Sequence, residues 1–296
     1  MNLPPPTPPR ILSIAGSDCS GGAGIQADIK TITMLGGYAM SAITAVTAQN
    51  TLGVQGAEML RGEFVRQQIT SCIEDIGADA IKIGMLGNDD IIQHVAAILV
   101  DWPQISAREG GGELQANRAD PAARFPIILD PVMVASSGDL LAGDHAIEAM
   151  REHLFPLASI ITPNLPELEI LARRRLTNLA QREQAAAQLA GQYGCAVLAK
   201  GGHTQDETVI DLLVEPSGET LRFEHSRLPA RHTHGTGCTL SAALATLMAQ
   251  GLPLEHAVRS ARQFVFRAIQ NAPGFGLGNG PLGHQSVLPA PQQSRS

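Results

Sequence analysis

The chain has 296 residues, 44% of them hydrophobic, enough for a sizeable core in one large α/β domain or two smaller ones. A formal charge of −7 argues against nucleic acid as a partner, because phosphate-backbone binding needs a basic surface. Only 3% of residues are aromatic, so the core is built from Ala, Ile, Leu and Val, with little to stack on bases.

The first ten residues are Pro-rich and too weakly apolar for a signal peptide, and read as an extended tail. Ile11–Ala15 is an apolar run predicted to be a buried strand, followed by a Gly-rich loop at 17–24 and a helix over Ile25–Leu35. A second strand is predicted over Ala42–Thr47, and Phe64–Ile76 has helical spacing that ends at Gly77. Ala80–Gly84 reads as a strand, Asp89–Val100 as a helix, Pro126–Asp130 as a strand and His145–Leu157 as a helix. A strand at Ser159–Thr162 precedes helices over Pro166–Ala172 and Ala180–Tyr193. Ala196–Lys200 is a strand, and Val209–Val214 with Thr220–Glu224 flank Pro216-Ser217-Gly218 as a hairpin. Helices over Gly237–Gln250 and Leu254–Ile269 follow. The polar, Gly/Ala-rich stretch 106–124 reads as a surface insertion.

Strands alternating with helices predict a three-layer α/β/α sandwich around a mostly parallel sheet. We take 11–284 as one domain, with tails at 1–10 and 285–296. No apolar run approaches the ~20 residues of a membrane span. The four cysteines, Cys19, Cys72, Cys195 and Cys238, are widely spaced and suggest neither a zinc site nor a disulfide framework. A soluble cytoplasmic protein is expected.

In such sheets ligands bind beyond the carboxyl ends of the strands, where the chemically suggestive residues fall. Gly235-Thr236-Gly237-Cys238 opens a helix. Small residues there let backbone N–H groups approach an anion, and the helix dipole favours negative charge. Cys238 in the first turn is expected to have a lowered pKa and to act as a base, its alternative role being simple packing. No Walker A pattern is present, and Gly21-Gly22-Ala23-Gly24 fails the dinucleotide spacing. That loop is either a tight turn or a close approach to substrate, with Asp28 one helical turn on. Asp130 either helps to hold Mg²⁺ or caps a turn. Asn164 and Glu167 either serve a ligand or form a capping box. Lys200 reaches either phosphates or a carboxylate. His203, His232 and His234 lack metal spacing and read as polar loop residues.

Taken together, Gly16–Asp28, Thr44–Thr51, Lys82–Leu86, Leu129–Val132, Ile161–Glu167, Lys200–His203 and Thr233–Ser241 resemble the hydroxymethylpyrimidine/phosphomethylpyrimidine kinases of thiamine biosynthesis, in the ribokinase-like superfamily. The likeness runs from about Ile11 to His284 in the right order, leaving out the insertion and both tails. It implies an ATP-dependent kinase acting on a small aminopyrimidine, first at its hydroxymethyl oxygen and then at the resulting phosphate, and a homodimer. It also implies roles. Gln49 would recognise the aminopyrimidine edge, with Gly16, Asp28 and Met85 lining the same pocket. Asp130 and Glu167 would lie around Mg²⁺. Asn164, Lys200 and Thr236 would meet ATP. Gly235, Gly237 and Cys238 would form the anion hole. Most ribokinase-like sugar kinases carry Asp where this chain has Cys238. Thr47 stands where some relatives have Val, which bears on pocket polarity. The nearest rival is a pyridoxal or pyridoxine kinase with the same Gly-Thr-Gly-Cys site. A non-catalytic sensor or a dinucleotide-dependent oxidoreductase fits less well.

Overall fold

The computed structural model describes residues 7–108, 125–133, 143–204 and 206–287. Nine strands form one sheet in the order β3-β2-β1-β4-β5-β6-β7-β8-β9. The parallel body comprises β2 (Tyr38–Asn50), β1 (Arg10–Asp18), β4 (Ala80–Ile83), β5 (Ile127–Leu129), β6 (Ile160–Ile161) and β7 (Ala196–Ala199). Antiparallel strands flank it: β3 (Gly53–Met59) on one side, β8 (Thr208–Val214) and β9 (Thr220–Ser226) on the other. The chain leaves β1 for β2 on one side and returns for β4 on the other. That reversal is the kind of switch point where open α/β sheets bind ligands.

Alternation along each strand divides the core into two layers. Leu12, Ile14, Ile81, Ile83, Leu129, Ile161 and Val197 face one apolar cluster. The helices α2 (Gly62–Asp75), α3 (Asp89–Arg108), α4 (Asp144–Ala149), α5 (Leu165–Ala172) and α6 (Leu179–Tyr193) cover that face. Ile11, Ala80, Ile128, Ile160, Ala196 and Leu198 face the other cluster. There α1 (Gly24–Met34), α7 (Thr236–Ala249) and α8 (Leu254–Gln270) pack. The run Ala242–Ala243–Leu244–Ala245 in α7 is fully buried, and its small side chains let a helix be enclosed on several sides.

The alternating pattern and the helix faces agree with the sequence reading, with four differences. The long hairpin partner β3 was not expected, because its residues Gly53–Met59 are mostly exposed and lack apolar alternation. The helix expected over Asp89–Val100 runs on to Arg108, so 106–108 of the expected insertion belong to α3, and 109–124 lie outside the described residues. The helix expected over His145–Leu157 is α-helical only to Ala149, then π-helical over Met150–Leu154 and 3₁₀ over Phe155–Leu157. Pro156 has no N–H to continue the α ladder. A short 3₁₀ turn, His284–Ser286, follows α8. No helix among the described residues is long and apolar enough to cross a membrane.

Candidate active site

A cavity of about 700 Å³ opens along the carboxyl edge of the parallel strands. Gly16, Gln49, Met85, Asp130, Asn164, Glu167, Lys200, Gly235, Thr236, Gly237 and Cys238 all line it. These positions span more than 200 residues of chain, and the parallel topology brings them together. Gly16 sits where the β1–β2 register shifts, and Gln49 sits where the β2–β3 register shifts. Such bulges re-aim side chains at sheet rims.

Asp28 does not line the cavity. It is fully buried behind the wall, where its Oδ2 accepts from Lys82 Nζ at 2.8 Å and from Ser13 Oγ at 2.6 Å. The pocket role expected of Asp28 is therefore corrected to a supporting one. Ser13 and Lys82 are in register on β1 and β4, both facing α1. Burial pushes the Asp28 carboxyl upward, against the pull of Lys82. Burial works against the charge on Lys82, but the neighbouring carboxylates of Asp28 and Asp130 outweigh it and raise its pKa.

The anion hole is built at the start of α7. Gly235 is the N-cap, with φ +87, and no side chain caps the helix. The first intrahelical bond runs from Thr239 N to Gly235 O at 2.9 Å. Of the preceding first-turn N–H groups, that of Thr236 donates to Thr233 O at 3.3 Å, while those of Gly237 and Cys238 have no intrahelical carbonyl to meet and can serve an anion. A Cβ on Gly235 would lie 1.9 Å from the Gly22 carbonyl oxygen, so both backbone angle and space require glycine. A Cβ on Gly237 would lie 3.1 Å from Asp130 Oδ2 and 3.2 Å from Lys200 Nζ. Thr236 Oγ1 donates to the Thr233 carbonyl.

Cys238 corrects another expectation. Its thiol is not poised as a thiolate: burial pushes it up to about 11, with Lys82 opposing and Asp28 and Asp130 reinforcing the rise. Desolvation and two nearby carboxylates outweigh the helix N-terminus. Burial here favours the neutral thiol over the thiolate.

Opposite this loop, Lys200 Nζ donates to Asp130 Oδ1 at 2.7 Å, and Thr162 Oγ1 donates to the same oxygen at 2.9 Å. Of the two partners open to Lys200, the carboxylate is the one met here. Asn164 and Glu167 form a full capping box on α5. Glu167 Oε2 accepts from Asn164 N at 2.8 Å, and Asn164 Oδ1 accepts from Glu167 N at 3.0 Å. Both still border the cavity. Burial pushes Glu167 up to about 7, with Lys200 opposing and Asp130 adding to the rise. No group of three or more metal-binding side chains exists among the described residues. Asp130 and Glu167, the two carboxylates whose charges flank Lys200, could together offer a two-carboxylate donor set. That set suits a Mg²⁺ brought in on phosphates and largely hydrated, as this ion is commonly held.

Some cavity residues escaped the sequence reading. His234, taken for a polar loop residue, is buried, with Nε2 2.9 Å from Asp18 Oδ2 and 3.0 Å from the Gln49 amide. Asp211 accepts from Gly201 N at 2.6 Å and from Arg262 Nε at 2.7 Å, which anchors the turn after Lys200. Arg227 donates to the carbonyls of Gly202, Thr204 and Asp206 and holds the same loop. Asp211 had a signal, as the one charge inside the apolar run Val209–Val214. His234 and Arg227 had none, since their partners lie far away in sequence.

The chain is similar to known proteins over most of its length. A family model described as phosphomethylpyrimidine kinase matches residues 18–107 and 113–283. The chain is 43% identical over 276 residues to the hydroxymethylpyrimidine/phosphomethylpyrimidine kinase of Bacillus subtilis (strain 168), covering 93% of this chain and 94% of that one. It is 39% identical to the thiamine biosynthesis bifunctional protein ThiED of Geobacter sulfurreducens, across 93% of this chain and 52% of that protein. Its fold is similar to that of a Bacillus subtilis pyridoxal kinase solved as an ADP complex, with a TM-score of 0.80, 30% identity, and coverage of 94% and 98% of the two chains.

Proposed function

The chain belongs to the phosphomethylpyrimidine kinase family, and from that premise we propose that its cleft carries out both phosphorylations of 4-amino-5-hydroxymethyl-2-methylpyrimidine. ATP is the phosphoryl donor, and the products are the monophosphate and then the diphosphate, on the way to thiamine diphosphate. The observation that carries this reading is one cavity bordered by Gln49 and Met85, by the α7 N-terminus, and by Lys200 with Asp130.

Gly16, Gln49 and Met85 bind the heterocycle. The N–H groups of Gly235, Gly237 and Cys238 stabilise the transferring phosphoryl group, which accumulates charge on its equatorial oxygens. Thr236, Asn164 and Lys200 meet the nucleotide phosphates, and Lys200 keeps its charge because Asp130 and Glu167 flank it against burial. Mg²⁺, when bound, neutralises charge between the phosphates, and Asp130 and Glu167 are the residues that would hold it. In the first step Cys238 takes the alcohol proton, drawing on its small thiolate fraction. In the second step the acceptor is a phosphate monoester, already largely ionised, and needs no base.

The pyridoxal kinase likeness keeps one alternative alive, a vitamin kinase of single-step type. We further propose a cytoplasmic homodimer. Exposed Leu52, Phe275 and Leu277 lie about a loop contact in which Asn279 N donates to Thr51 O at 2.8 Å. Light scattering at twice the chain mass would support that state. The function is tested by incubating the protein with Mg–ATP and the aminopyrimidine and following products by mass. Monophosphate followed by diphosphate is expected. Monophosphate alone, with faster turnover of pyridoxine at equal concentration, would replace this reading with the vitamin kinase.

A further inference from the structure

Gln49 is held by two neighbours whose chemistry determines which way round its amide lies. On one side is His234 Nε2, 3.0 Å from the amide atom placed as nitrogen. On the other is Thr47 Oγ1, 3.3 Å from the amide atom placed as oxygen. The oxygen and nitrogen of a side-chain amide are assigned by the hydrogen bonds they make, so each contact can be checked for a donor and an acceptor.

The His234 contact needs an acceptor from Gln49. Asp18 Oδ2 lies 2.9 Å from the same Nε2, and also accepts from Gly22 N at 3.1 Å and Ala23 N at 2.8 Å. Asp18 Oδ1 accepts from both the N and Oγ of Ser20, at 2.9 and 2.8 Å. Burial would raise the Asp18 pKa, but His234, Ser20 and the loop amides hold it down at about 2. Asp18 is therefore an ionised carboxylate that only accepts, and His234 Nε2 must carry the proton between them. An N–H of Gln49 pointed at that nitrogen would set donor against donor, whereas an amide oxygen there shares the one Nε2 proton with Asp18 Oδ2.

The Thr47 contact needs a donor from Gln49. The single Thr47 hydroxyl proton goes to the Ser17 carbonyl at 2.9 Å, the shorter of its two contacts. Thr47 then has only lone pairs left for Gln49. Two independent contacts thus require the same exchange: amide oxygen toward His234, amide nitrogen toward Thr47. The exchange is a half-turn of the amide that swaps its oxygen and nitrogen and leaves every other atom in place.

We propose that Asp18, His234 and Thr47 clamp the Gln49 amide in this one orientation, so that Gln49 reads the order of donor and acceptor along the edge of the heterocycle. With one lone pair on His234 and one N–H on Thr47, the amide keeps one lone pair and one N–H for a ligand. They face it in fixed order, acceptor on the His234 side and donor on the Thr47 side. An aminopyrimidine edge matches, with its exocyclic amine giving a proton and the adjacent ring nitrogen taking one. Its 4-oxo counterpart has the order reversed, carbonyl oxygen beside ring N–H, and would need a flipped amide that both neighbours oppose. Asp18 and His234 are positioning residues that act through Gln49. Thr47 does the same, and its hydroxyl is the part of the clamp a valine would lack.

This inference rests on the proposed aminopyrimidine substrate, and the test separates the two. Initial rates with Mg–ATP are measured on the 4-amino compound and on its 4-oxo counterpart, for wild type, Thr47→Val and His234→Leu. Wild type is expected to prefer the amino compound by on the order of 10⁴ in kcat/KM, as sites built around buried polar pairs do. In both variants that preference should fall at least tenfold, through a higher KM for the amino compound and a gain on the oxo compound. A defect of folding or of the anion hole would lower both substrates alike and leave the ratio where it was. His234 adjoins Gly235, so Thr47→Val, remote from that loop in sequence, carries the decision if His234→Leu fails to fold. An unchanged ratio in a variant that turns over the amino compound overturns the clamp and leaves the kinase reading standing. Wild-type turnover of neither compound overturns both.

Discussion

Cys238 shows how one residue's chemistry depends on what surrounds it. Its position in the first turn of α7 suggests an activated thiolate, yet burial and the nearby Asp28 and Asp130 hold the thiol at about 11. If the thiolate is the proton acceptor, its population grows tenfold per pH unit below that value. The first phosphorylation should then climb by about one decade per unit between pH 7 and 9, while the second stays flat in that window. Cys238→Ala should slow the first step by roughly 10²–10⁴ and the second by far less, the usual span for losing a general base. Equal losses in single-turnover assays of the two steps would leave Cys238 as part of the anion hole alone. Gly237 offers a complementary case. Gly237→Ala should change stability by no more than about 1 kcal/mol, since the helix preference of alanine and the crowding of Asp130 and Lys200 oppose one another. Activity should nonetheless fall at least tenfold, because the added methyl crowds Asp130 Oδ2 and Lys200 Nζ. A loss of melting temperature in step with activity would contradict that separation.

At the scale of elements, the polar cluster Ser13–Asp28–Lys82 lies in a mainly apolar layer, between β1, β4 and α1. Lys82→Met strands a buried carboxylate and should cost about 3–5 kcal/mol in urea unfolding. Lys82→Met with Asp28→Leu should recover most of that, because well-packed apolar pairs match or exceed buried ion pairs. If the double variant is no better than the single one, the pair is not a self-contained unit. The capping box that starts α5 gives a smaller effect. Asn164→Ala should cost about 1 kcal/mol through the lost N-cap, with a further loss of turnover if Asn164 also meets the nucleotide. The elements also show what a sequence can reveal. Strand Ala196–Ala199 is buried on both faces and reads as an apolar run, as does Ala80–Ile83 but for Lys82, a pattern that a covered parallel sheet explains. Strand β3 is held by hydrogen bonds to one neighbour and is open on its other edge, so no apolar pattern marks it. The continuation of α3 past Val100 runs into a segment whose composition alone reads as loop.

At the scale of the whole molecule, most of the candidate site was legible, because a parallel sheet delivers the ends of many strands to one edge. Asp130, Asn164 and Lys200 could be named from the strands they follow. Asp28 was misplaced for the same reason: a carboxylate just after a Gly-rich loop looks like a ligand until the helix turns it inward onto Lys82. His234 was undervalued because Asp18 and Gln49, its partners, are 216 and 185 residues away. The C-terminal segment closes the structure in a similar way. Leu282 and Val287 pack on Phe264 and Ala268, and His284 Nε2 lies 2.8 Å from Thr239 Oγ1 on α7, beside the anion loop. Burial, aided by Lys30, lowers the His284 pKa to about 4. An unfolded chain protonates that histidine near 6.5, whereas the folded one refuses the proton until about pH 4. The unfolded state therefore binds more protons between those values, and folding stability contributed here falls as pH drops through the window. The loss is at most about 3 kcal/mol for this shift. Urea titrations of wild type and His284→Gln at pH 7 and 4.5 isolate it, because other acid-titrating groups cancel in the difference. Glutamine keeps a partner for Thr239 and cannot titrate, so the variant should lose 1–3 kcal/mol less than wild type on acidification, by the same arithmetic. An equal loss in both proteins would mean that His284 takes its proton with the fold intact, through an opening of the C-terminal segment away from α7.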